Sequence, residues 1–217
     1  MIGGTGAVGG EVLDSLRNSQ SIDRLTLLGR RKVDHLEFQN AEQHVVDVLN
    51  SETYQDLVSG HDVAICTLGV GQPSKVSREM FVKIDKDAVL EFARLCKASG
   101  VKHFHLLSSV GVDSQSSNFF LRTKGELEDG LKALQFDRLG LFHPSMILTP
   151  ENRYGWVQGL TLVIWPLLKP LLSGPLRKFR GIRVEILGRA IAANVFGAGD
   201  GVEVFEWDEM QALADDH

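Results

Sequence analysis

The sequence predicts an α/β fold, a doubly wound parallel sheet with helices on both faces. Three observations carry that expectation. Short apolar runs rich in β-formers alternate with longer segments of helical period, the pattern of consecutive βαβ units. Glycines open the chain at Gly3-Gly4-Thr5-Gly6-Ala7-Val8-Gly9, directly before a helical segment. The run DVAICTL at 62–68 is continuously apolar, as expected of a strand buried on both faces of a parallel sheet.

In chain order, a helix is predicted over 8–18, then strands over 25–28 (LTLL) and 44–47 (HVVD). After the strand at 62–68, apolar spacing predicts an amphipathic helix over 79–99 with Gly100 as its stop, and a strand over 103–108. A helix over 118–134 and a strand over 138–142 repeat the rhythm. Pro150, Pro166, Pro170 and Pro175 then interrupt any long helix. The stretch 149–181 therefore reads as an elaboration of a single domain spanning 1–217. A helix over 184–196, an edge strand over 202–205 and a short terminal helix complete the chain. Only Met1-Ile2 precede the glycines, where a strand usually has about five residues. Either the first strand is truncated or sequence upstream of it is absent, and a missing central strand would leave its neighbours' edges unpaired.

Composition narrows the class. A chain of 217 residues that is 43% hydrophobic can bury one sizeable core. A formal net charge of -5 carries no basic excess, which argues against nucleic acid. Cys66 and Cys96 sit in apolar segments without C-x-x-C spacing, as reduced core thiols do, and with no signal-peptide pattern at the start this predicts a cytoplasmic chain. The apolar segment 157–172 is short for a membrane span and carries Pro166, Lys169 and Pro170, so a buried or lid-like helix is expected and no span. His103 and His105 share one strand face with no third ligand placed nearby, and no metal is expected.

The glycines have a specific use. In G-x-x-G-x-x-G, Gly3, Gly6 and Gly9, with Thr5 and Val8 between them, permit a tight turn, close approach to a pyrophosphate and close packing of the following helix. That helix points free N–H groups at an anion. The arrangement is that of a Rossmann-like dinucleotide site. About 20 residues on, where an NAD site usually carries an acid for the ribose hydroxyls, the chain reads Gly29-Arg30-Arg31. Two guanidinium groups there suit a 2′-phosphate, which favours NADP(H). Asp47-Val48, at the next strand end, suit the adenine amino group, and Leu68-Gly69 fall beside the expected cleft.

The segments GGTGAVGG, LTLLGRRK, GHDVAICTLG, KHFHLLSSVGVDSQSSNFFLRTKGELE and FDRLGLFHPSMIL resemble the atypical short-chain dehydrogenase/reductase family, in its Tat-interacting-protein-like branch, over almost the whole chain. The resemblance implies an NADP(H)-linked oxidoreductase fold in which Ser orients a carbonyl, Tyr donates its proton, and Lys binds ribose hydroxyls while lowering the Tyr pKa. Ser109 and Lys124 fit two of these roles. Ser108 is the alternative serine, expected nearer the nicotinamide, and Pro144 is retained from the family's Arg-Pro-Gly, which here reads His143-Pro144-Ser145.

The Tyr of the family's Y-x-x-x-K falls on Phe120, one helical turn before Lys124. A benzyl ring has no proton to give. Tyr154, His143 and Tyr54 are the substitute donors to weigh. Two functions follow from the resemblance. One is an NADP(H)-binding oxidoreductase on a small carbonyl or alcohol substrate with an impaired acid step. The other is a non-catalytic NADPH-sensing module presenting a surface, such as 156–172, to a protein partner.

Overall fold

The computed structural model describes residues 1–17, 19–34, 36, 38, 40–150 and 172–215. The expected elaboration at 149–181, the apolar segment 157–172 and Tyr154 lie wholly or mostly outside the described residues.

Helix α1 (Ala7–Leu16) follows the glycine turn, then β1 (Leu25–Gly29) and β2 (Ala41–Val45). Strand β3 (Val63–Cys66) leads to α2 (Arg78–Val82), a π turn (Lys83–Asp87) and α3 (Ala88–Ala98). Next come β4 (His103–Leu107), α4 (Phe119–Ala133) and β5 (Arg138–Phe142). A two-residue pair, β6 (Ile147–Leu148) with β7 (Ile182–Arg183), precedes α5 (Val184–Phe196), β8 (Gly201–Phe205) and α6 (Trp207–Asp215).

All the pairings are parallel. β2 pairs with β1, and β3, β4, β5 and β8 follow one another in a second run. Ile2 bridges the two runs, pairing with Leu28 on one side and Cys66 on the other. Met1 O accepts from Leu28 N–H at 2.9 Å, while Ile2 donates to Ile65 O at 2.9 Å and accepts from Thr67 N–H at 3.0 Å. The few backbone groups of Met1 and Ile2 pair with both neighbouring edges, so the predicted unpaired gap is not there. The spatial order β2-β1-Ile2-β3-β4-β5-β8 reverses direction at Ile2, the topological switch point of a doubly wound sheet.

Strand alternation sorts the core into two layers. Leu28, Cys66, Phe104, Leu106 and Leu139 face α3 and α4, packing with Phe92, Leu127 and Leu131. Leu25, Leu27, Ile65 and Phe142 face α1 and α5, packing with Val12, Leu16, Leu187 and Ile191. Gly188 brings α1 and α5 close, since a Cβ there would run into Glu11. Among the described residues, no helix is long and apolar enough to cross a membrane.

Candidate cofactor cleft

The switch point opens into a cleft of about 440 Å³ at the carboxyl ends of the strands. One wall is the glycine turn. Gly3 has φ +94°, and a Cβ on it would lie 2.5 Å from Thr67 C. A Cβ on Gly9 would overlap Gly3 O, the same carbonyl that accepts from Gly6 N–H at 3.0 Å. Small residues are therefore imposed by backbone crossing backbone. Gly6 is the N-cap of α1 and supplies no side-chain acceptor, so the first-turn N–H groups beside Ala7, Val8 and Gly9 face the cleft uncapped.

The opposite wall comes from α4. Asn118 caps this helix, its Oδ1 accepting from Phe120 N–H at 2.9 Å and Leu121 N–H at 3.2 Å. That start sets the helix phase, and Phe120, Lys124 and Glu128 then fall on one face at i, i+4 and i+8. Phe120 and Lys124 line the cleft. The Phe120 ring packs against Phe81, with centroids 5.6 Å apart, and has no polar atom to offer.

Lys124 is nearly enclosed, its side chain 6% exposed, and its Nζ lies 2.9 Å from Asp85 Oδ1. The second oxygen of Asp85 accepts from Val70 N–H at 2.8 Å. Below Lys124, Glu128 Oε1 accepts from Ser108 Oγ at 2.5 Å and is bonded to His143 Nε2 at 2.7 Å. Buried charges persist when paired and hydrogen-bonded in this way.

Most of the expected site residues meet here. Gly6, Val8, Gly9, Leu68, Gly69, Ser108, Ser109, Lys124 and Pro144 all line the cleft, with Gly3 directly behind. The two serines differ. The Ser108 hydroxyl is committed to Glu128, whereas Ser109 Oγ has no hydrogen-bond partner among the described residues. Thr5 and Arg31 line a small adjoining notch, and Arg30 is exposed beside it. Gln43 pins this loop, accepting from Val33 N–H at 2.7 Å and donating to Val33 O at 3.3 Å. Asp47 and Val48 stand outside the cleft lining. Asp47 is exposed, with Oδ1 accepting from Leu49 N–H at 3.0 Å, and Val48 is buried in the core.

The substitute donors fare poorly. Tyr54 is 1% exposed, packed on Phe92, and burial pushes its phenol up to about 12, the wrong direction for an acid. His143 is buried against Glu128 and does not line the cleft. His105, in the middle of β4, is bonded to the Asn194 amide at 3.1 Å and does not line the cleft.

Asp85, Glu128 and Gln43 escape motif reading. A signal for the two acids does exist, because Asp85 sits on the buried stripe of Phe81, Val89 and Phe92, and Glu128 on that of Leu127 and Leu131. A carboxylate on an apolar face asks for a buried partner.

Comparisons with known proteins agree with this architecture. A family described as NAD(P)H-binding matches residues 3–136. The rat protein HTATIP2 is 40% identical over 159 residues, 71% of this chain, and the match spans 65% of the rat protein's length. The mitochondrial protein FMP52 of Meyerozyma guilliermondii is 30% identical over 78% of this chain and 73% of its own. Among solved structures, MoeE5 in complex with UDP-glucuronic acid and NAD superposes with a TM-score of 0.70 at 17% identity, over 94% of this chain and 74% of that one.

The fungal relatives correct one expectation. FMP52 is mitochondrial by name in several of them, which overturns the plain cytoplasmic assignment. Cys66 and Cys96 are free and buried, and core thiols of this kind do not single out the cytosol.

Proposed function

Because this chain belongs to the NAD(P)H-binding family, we propose that it binds NADP(H) across the switch-point cleft, in a reductase-type site that has lost its proton donor. The observation that carries this reading is the convergence on one cleft of the uncapped α1 terminus, the unengaged Ser109 hydroxyl and the Lys124 ammonium.

The residues fit a dinucleotide in size and charge. Gly3 and Gly9 leave open a cradle that a Cβ would fill. The α1 N–H groups receive the pyrophosphate, as helix N-termini do for anions generally. Arg30 and Arg31 are exposed and have no ion-pair partner among the described residues, which leaves them for a 2′-phosphate. Leu68 and Gly69 serve the adenosine half, with the exposed Asp47 carboxylate beyond them at the end of β2, while Val48, buried in the core, supports that end from behind. Lys124 uses one of its three donors on Asp85 and directs the others at ribose hydroxyls. When bound, the nicotinamide supplies a hydride. Ser109 orients the carbonyl oxygen of a small substrate, Ser108 and Pro144 shape the nicotinamide end, and the apolar surround of Phe120, Met146 and Ile147 favours an apolar carbonyl compound.

Phe120 cannot protonate the nascent alkoxide, and a missing positioned acid costs roughly 100- to 10,000-fold in rate. That same residue favours a second reading, a non-catalytic module that responds to NADPH. Fluorescence titration with NADPH followed by NADPH-oxidation assays over small aldehydes and ketones separates the outcomes. The expected result is saturable binding with slow oxidation. Binding without any oxidation selects the second reading. Turnover in the ordinary enzyme range, about 1–1,000 per second, overturns the missing-donor account, and failure to bind overturns both.

A further inference from the structure

Asp85 is a carboxylate that the dinucleotide motif does not require. It lies in the π turn between α2 and α3, a widened helical geometry that recurs at functional sites. Its side chain is 3% exposed, its two oxygens hold Lys124 Nζ and Val70 N–H, and a Cβ on Gly69 would lie 3.1 Å from Oδ1. The carboxylate therefore fits under the loop that follows β3 and ties that loop to α4. The other charged groups nearby close on one another. Lys86, next to Asp85, pairs with Glu126 of α4 at 2.8 Å, and Glu128 is held by Ser108 and His143, with Lys132 at 3.7 Å.

A cation lowers the pKa of a neighbouring phenol only as far as its charge is not already offset. With a carboxylate 2.9 Å away, Lys124 presents to the rest of the cleft a neutral pair with free N–H donors. The geometry points to Asp85 as a positioning residue of the cofactor cleft, one that fixes Lys124 in place and offsets its charge, so that the lysine serves as a hydrogen-bond donor and not as the activator of a phenol at position 120. Asp85 and Phe120 are then two features with one consequence, a cleft without acid–base drive. The inference rests on the reading of the cleft as a cofactor site, but its test needs no cofactor, so failure of NADPH to bind does not decide it.

Phe120→Tyr places a phenol beside Lys124 as a reporter. Its titration is followed by ultraviolet phenolate absorbance, as a difference against the same protein with Phe120, which removes Tyr54 and Tyr154. In Phe120→Tyr the midpoint is expected near the ordinary value of about 10. In Phe120→Tyr/Asp85→Asn it falls by about one pH unit or more, because the lysine charge is released. The same midpoint in both proteins, or one already well below the ordinary value in Phe120→Tyr alone, overturns the proposal. Phe120→Tyr/Asp85→Asn/Lys124→Met, which removes both charges together, is the second arm, should the variant that leaves Lys124 unpaired fail to fold. Its midpoint is expected to stay within about half a unit of that of Phe120→Tyr, and a larger rise would show that the lysine charge reaches the phenol and overturn the proposal.

Discussion

Two buried cations sit at opposite ends of the sheet, and their partners differ in kind. Arg138, 2% exposed, spends its guanidinium on Glu203 Oε2 at 2.5 Å, on the carbonyls of Asn194 and Gly197, and on Asn194 Oδ1 at 2.6 Å. Asn194 passes the network on to His105. Lys124 makes one ion pair, with Asp85, and lines an open cleft. A cation with four of its five donors spent inside the protein fastens α5 and β8 to β5. A cation with donors left over, at the carboxyl ends of parallel strands, is placed for a ligand. Both cations are buried and paired with a carboxylate, and what separates them is that Lys124 keeps two donors beside an open cleft while Arg138 spends all but one on the protein.

The largest effect that follows is at the closed end. Arg138→Met leaves Glu203 and the Asn194 side chain without their partner. It is expected to cost about 3–5 kcal/mol, roughly 6–20 °C in Tm for a chain of this size, while NADPH affinity is unchanged below the transition. A calorimetric scan paired with a cofactor titration checks both halves. Lost affinity in the folded variant would erase the distinction between the two ends.

Gly9→Ala tests the open end with the opposite signature. The added methyl meets the Gly3 carbonyl, a backbone atom that cannot swing aside. The expected cost is about 1–3 kcal/mol in stability, with NADPH affinity falling disproportionately, by about tenfold or more. Urea unfolding and NADPH titration on one preparation give both numbers.

The effect that is smallest at neutral pH grows only in acid. Burial, then the charge of Arg138 and His103, pushes His105 down from 6.5 to about 3. The unfolded chain therefore binds a proton that the folded chain refuses, so this contribution to stability is complete above about pH 6.5 and is lost as pH falls toward 3. Its slope is at most about 1.4 kcal/mol per pH unit. Urea unfolding across that window is expected to show a shallower slope for His105→Gln than for the parent. Equal slopes would mean that the ring is not held neutral.

Much of this was legible in the sequence, for identifiable reasons. β5 and α5 fall where apolar pattern places them, because each is buried on the faces that pattern reports. β2 was expected at 44–47 and runs from Ala41 to Val45. It is an edge strand whose burial scarcely alternates, so of the two valines in HVVD, Val45 ends the strand exposed and Val46 marks the core-bound turn after it. The pairing of Ile147 with Ile182 was invisible, since two residues far apart in the chain carry no period. At the site, glycine spacing pointed to Gly9, and the family resemblance to Lys124 and to the tyrosine missing at Phe120, all three of which line the cleft. Both missed Asp85 because the residue that holds Lys124 comes from another helix, and partners across helices leave no spacing to read. Glu128 was missed for the same reason, its partners Ser108 and His143 lying at the ends of two strands.

The central claim, an NADP(H) cleft read through Arg30 and Arg31, meets its most direct test in parallel titrations of NADPH and NADH on the parent and on Arg30→Ala/Arg31→Ala. Charge-assisted hydrogen bonds to a 2′-phosphate contribute about 1.5–3 kcal/mol. The parent is therefore expected to bind NADPH about 10- to 100-fold more tightly than NADH, and the double variant to lose that preference without a change in Tm. Equal affinity for the two cofactors in the parent, or a preference that survives the loss of both arginines, would contradict the account.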